Sequence, residues 1–135
     1  MTKKMLFAWL AGFLIFFFFG WFVYEIVLKS FYADFMAQLG DCIVKEPPVL
    51  AIIIAHLCFS LFLAQWLLKS NANTFFEGIS KSIFIVVLIL VWYESWLFTI
   101  FPQMNFTIAF VDVLANSTIT IVGAGLMGFI LGKMK

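Results

Sequence analysis

Glu25, His56, Glu94 and Asp112 are ionisable residues that fall inside four long apolar runs. A charge at the centre of a membrane helix costs about 2.5–3.5 kcal/mol on insertion scales, so such residues mark places where groups pair, bind an ion or carry a proton. Their depths agree. His56 stands seven residues from Val49, Glu94 seven from Phe101 and Asp112 six from Phe106. At about 1.5 Å of rise per residue, each lies roughly 10 Å from the same end of its run. Glu25 sits nearer that end of the first run. Asp112, Asn116 and Thr120 recur at i, i+4 and i+8, which puts a polar stripe on one helical face. Ser60 lies one turn from His56.

Three carboxyl groups and one imidazole in one apolar region would titrate as a coupled set. That chemistry suits a proton relay, a cation site or a polar pocket for a small solute, with Glu25, His56, Glu94, Asp112 and Asn116 as the candidate ligands. The same residues have a plainer reading. Glu94 with His56, or Asp112 with Asn116, could be interhelical hydrogen bonds of about 1 kcal/mol each, and Glu25 could extend to the interface from near a helix end. A metal is not expected, because no His-x-x-His or Glu-x-x-His spacing occurs on one helix. Neither a nucleophile–base pair nor a cofactor motif is present, so an enzyme and a bound cofactor are not expected either.

The elements that must position these residues are four apolar segments. They run from about Met5 to Leu28, Val49 to Leu68, Ile79 to Phe101 and Phe106 to Leu131. Each meets the roughly 20 residues needed to cross about 30 Å of hydrocarbon. The expected fold is an all-α integral membrane bundle of four transmembrane helices in a single domain, residues 1–135. Lys3 and Lys4 before the first run imitate a signal peptide, but the run is too long for one and no A-x-A site comes after it. Pro47 and Pro48 stand where a helix start tolerates proline, and Pro102 ends the third run. Between the first two runs, Phe31, Tyr32, Phe35, Met36 and Leu39 recur at helical spacing between Ser30 and Gly40. This predicts a short amphipathic helix in the interface.

Composition agrees with lipid as the main partner. The chain is 65% apolar with mean hydropathy +1.14, far above the roughly 45–50% apolar share of soluble domains. A net charge of +1 gives no reason for nucleic acid. All eight cationic residues are lysines, so bidentate anion recognition by arginine is excluded. Lys3, Lys4, Lys69, Lys81, Lys133 and Lys135 fall at one set of segment ends, against Lys29 and Lys45 at the other. This bias places both termini in the cytoplasm, in the inner (plasma) membrane of a cell. Cys42 and Cys58 form no C-x-x-C motif. Cys58 should lie well inside a helix and Cys42 outside it, so a disulfide between them is not expected. Asn105-Phe106-Thr107 and Asn116-Ser117-Thr118 match the glycosylation pattern but sit at or in the membrane.

Ala124, Gly128 and Gly132 make a small-xxx-small row on the last segment that lets a neighbouring backbone approach. Packing within the chain is the favoured use, with a homodimer or partner membrane subunits as the other option. The order of features resembles a family of small bacterial four-helix membrane proteins, domain of unknown function 1761. The likeness rests on Phe19-Gly20-Trp21-Phe22-Val23-Tyr24 near the end of the first helix, on Thr74-Phe75-Phe76-Glu77-Gly78 entering the third, and on the run Gly125 to Gly132 in the last. Glu25 after Tyr24 departs from that family's Ser-Pro, and the third helix lacks its Trp-Gly. The resemblance implies the four-helix architecture and no activity. Two functions are expected: a membrane protein whose polar cavity binds or transports a proton, cation or small solute, or an accessory subunit of a larger membrane complex.

Overall fold

The computed structural model describes residues 2–42 and 48–134. Lys45, Glu46, Pro47 and Lys135, and the side chain of Cys42, lie outside the described residues. Within them the chain is helical. Helix α1 spans Lys3–Val27, α2 Lys29–Leu39, α3 Val49–Lys69, α4 Phe75–Ile100 and α5 Phe106–Lys133. Four of these, α1, α3, α4 and α5, are long and apolar enough to cross a membrane. The short α2 occupies the segment whose periodicity predicted an amphipathic helix, and Gly40 ends it at φ 50°, ψ −122°. That conformation is open to glycine and costly for residues with a Cβ.

Caps fix the ends that hydropathy leaves vague. Helix α4 begins a turn earlier than its apolar run because the Thr74 hydroxyl accepts the Glu77 N–H at 3.2 Å. The Glu77 carboxylate in turn accepts the Asn73 N–H at 2.7 Å. The Asn105 side chain accepts the Ile108 N–H at 3.0 Å and so starts α5. Side-chain acceptors of this kind satisfy amide groups that a helix start leaves free.

Helices α4 and α5 form an antiparallel hairpin closed along small residues. A Cβ at Gly78 would fall on the Ala124 carbonyl oxygen, and one at Gly132 on that of Asn73. One at Gly128 would stand 2.6 Å from the Thr74 carbonyl oxygen. The row Ala124, Gly128, Gly132 thus lies against the start of α4 inside the chain. Helix α1 packs on the same end of α5, where Met127 fills the space beside Gly12 and Phe16 that beside Gly123. The core gathers there: Ala8, Leu63, Leu67, Val86, Met127 and Leu131 are buried. The Trp9 indole donates to the Leu57 carbonyl at 2.8 Å and ties α1 to α3.

Toward the opposite end the helices separate. Along α3 every buried side chain lies at or beyond Ser60. Helix α1 contains two wide π-helical turns, Ile15–Phe19 and Val23–Val27. The second is marked by the Leu28 N–H bonding to the Val23 carbonyl, five residues back, at 2.8 Å. Each such turn rotates the next residues of the helix relative to a regular α-helical count. The outside of the bundle is apolar and aromatic, with Phe84, Trp92 and Phe106 among many exposed large side chains.

The hairpin seam makes a testable difference between two glycines. Gly78→Leu would force α4 and α5 apart and should cost about 1–3 kcal/mol, the usual range for overpacking. Gly20, with open space where its Cβ would go, should accept Ala with a change within about 1 kcal/mol. Thermal unfolding in detergent micelles checks both. Equal Tm values for the two variants would contradict the packing described.

Candidate functional site

The separated ends of the helices enclose a cavity of about 1000 Å³ with walls from all five. Glu25, His56, Glu94, Asp112 and Asn116 are all among its lining residues. They do not all touch. The centre is Asp112 on α5, which faces inward one turn before Asn116.

Asp112 collects donors from three helices. Its Oδ1 accepts from the Tyr24 hydroxyl of α1 at 2.6 Å and from the Tyr32 hydroxyl of α2 at 3.1 Å. Its Oδ2 accepts from the Asn116 side-chain amide at 2.7 Å. The same amide donates to the Tyr24 oxygen at 2.7 Å, so Tyr24 both accepts and donates. Hydrogen bonds to an ionised acceptor are about twice as strong as neutral ones, and this closed set orients Asp112 against rotation.

Glu94 on α4 completes the centre and is its unsatisfied member. Its side chain is buried, 4% exposed, and it lines the cavity together with Asp112. One oxygen, Oε2, is buried without a hydrogen-bond partner. Trp92 and Trp96 on the same helix are exposed, and Trp92 also lines the cavity. No lysine or arginine is among the described residues that line the cavity. Two adjacent carboxyl groups in apolar surroundings repel when both are charged. The pair therefore calls for a counter-charge, either a proton or a bound cation.

His56 and Glu25 stand apart from this network. The His56 ring lies on the cavity wall with its edge toward Phe17, centroids 5.9 Å apart. Its Nδ1 donates to the Ile52 carbonyl of its own helix at 2.7 Å, which leaves Nε2 as the free nitrogen of the neutral ring. Glu25 is largely exposed at the rim and lies 4.0 Å from Lys29. The reason is angular: Tyr24 and Glu25 are adjacent, about 100° apart on a helix, and it is Tyr24 that reaches Asp112. Cys58 is a free, exposed thiol, and Ser60 is buried with its hydroxyl donating to the Leu57 carbonyl at 3.1 Å.

Tyr24 and Tyr32 are the site residues that sequence reading passes over, because a tyrosine near a helix end reads as an interfacial anchor. A signal existed: Tyr24 stands one residue deeper than Glu25 on the same turn of the first apolar run. No family model matches the chain, and neither a curated protein nor a solved structure gives a significant match.

Burial, with Asp112 beside it, holds the Tyr32 phenol above its ordinary value of 10.0. The folded protein therefore keeps that proton at alkaline pH where the unfolded chain gives it up. The resulting stability is whole below pH 10, the unfolded value, and declines as pH rises beyond it, by up to about 1.4 kcal/mol per pH unit for one proton. Tyr32→Phe should flatten this alkaline decline when unfolding in micelles is monitored against pH. An identical slope in the variant would place Tyr32 outside the network.

Proposed function

We propose that this chain is a multi-pass inner-membrane protein that binds a proton or cation on the Glu94–Asp112 pair and exchanges it with the outer solution, in the service of solute binding or transport. One observation carries the reading: two carboxyl groups line one largely apolar cavity, one with a buried, unpartnered oxygen, and no described lysine lines the walls. A pair held only for structure would be expected to satisfy that oxygen, because an unpaired buried acceptor costs about 1–3 kcal/mol.

The orientation is inferred from the lysines. Lys3, Lys69, Lys81 and Lys133 stand near the packed end, where Gly132 meets the Asn73 carbonyl. The positive-inside rule puts that end in the cytoplasm and turns the cavity mouth outward. The exposed Phe and Trp side chains suit contact with acyl chains. Tyr32 joins α2, the segment expected to lie in the interface, to the acid centre, so occupation of the pair and the position of α2 are coupled.

Reconstitution into liposomes tests the function. With a membrane potential imposed, a trapped pH dye should report proton movement that Glu94→Gln and Asp112→Asn each slow at least tenfold. Movement unchanged in both variants would end the transport reading. A fluorescent protein fused after Lys135 should fluoresce in living cells; a full-length, membrane-inserted fusion that stays dark would reverse the orientation.

A further inference from the structure

Building on the acid-pair reading, we infer that the cavity takes a lipophilic organic cation, a quaternary or protonated amine on a bulky apolar body. The volume is the first argument. At about 1000 Å³ the cavity is at the upper end of the roughly 300–1,000 Å³ that small organic ligands occupy. A bare ion does not need such room. Among the described residues no three His, Cys, Asp or Glu side chains converge, so a transition metal lacks its donors.

The walls supply the second argument. Trp21, Phe17 and Phe59 on one side and Leu90, Tyr93 and Leu97 on the other present apolar and aromatic surface. Polar groups concentrate at the Asp112 centre, where Glu94 Oε2 is buried and unpartnered. A cation on an apolar body matches both halves. Its charge meets the carboxyl pair, and its body meets aromatic faces that attract cations within about 6 Å. An anionic or zwitterionic ligand would bring a phosphate or carboxylate to a lining in which no described lysine waits for it. Charge balance sets the exchange: a monovalent cation arriving on the pair releases the one proton that served as its counter-charge.

Equilibrium binding of labelled tetraphenylphosphonium to the purified full-length chain in detergent tests the inference, with neutral triphenylphosphine oxide as the size-matched control. Saturable binding of the cation is expected. Its affinity should fall at least tenfold in Glu94→Gln and in Asp112→Asn, and several-fold in Trp21→Ala, which alters the wall but not the acid centre. The oxide should show no binding that depends on Glu94. Equal affinity for the cation in wild type and all three variants would overturn the inference. So would the absence of saturable binding to wild type. If either result came with proton movement that still depends on Glu94, the acid-pair reading would stand and the ligand class alone would fall. Loss of both would remove the two together.

Discussion

Two carboxyl groups placed on one cavity among apolar side chains are costly to keep both fully charged without help. Glu94 and Asp112 are in that position, and each structural feature around them answers it. Tyr24, Tyr32 and Asn116 give Asp112 three donors, enough to stabilise one carboxylate. Glu94 receives no such shell for Oε2. The asymmetry makes Asp112 the fixed member of the pair and leaves Glu94 the unsatisfied one.

The helices divide their work along their length to hold this arrangement. At one end small residues let α4 and α5 approach to backbone contact, and α1 is locked on by Met127 and Phe16. At the other end α3 and α4 part, and the space between them is the cavity. A bundle packed equally at both ends would have closed over the acid pair. The π-helical turns of α1 lie in this more open part, where Tyr24 reaches Asp112 and Glu25 stays near Lys29 at the rim.

Much of this was legible in the residues, for physical reasons that also mark the limit. Four helices are expected from four apolar runs of spanning length, and Gly40 ends the short helix α2 because few other residues fit its backbone angles. That Glu94, Asp112 and Asn116 share a cavity was legible because charge is costly among apolar side chains and because depth along a helix can be counted. Glu25 is singled out in the sequence because it is ionisable, whereas Tyr24 beside it reads as an interfacial anchor; the structure gives Tyr24 the contact with Asp112 and leaves Glu25 near Lys29. Tyr32 escaped for a different reason. Its role depends on how α2 folds back over the cavity, and that is a tertiary fact which no local pattern carries. The start of α4 at Phe75 was hidden in a polar loop, where Thr74 and Glu77 set the boundary by hydrogen bonds that hydropathy does not register.

The account depends on Glu94 and Asp112 acting as one site with a single counter-charge. Infrared spectroscopy of the protein in bilayers at neutral pH, with no organic cation added, reads this directly through the stretch of protonated carboxyl groups. One such band should be present, and it should disappear or shift in both Glu94→Gln and Asp112→Asn. A spectrum without the band, or one that only a single variant alters, would mean that the two carboxyls do not share a proton.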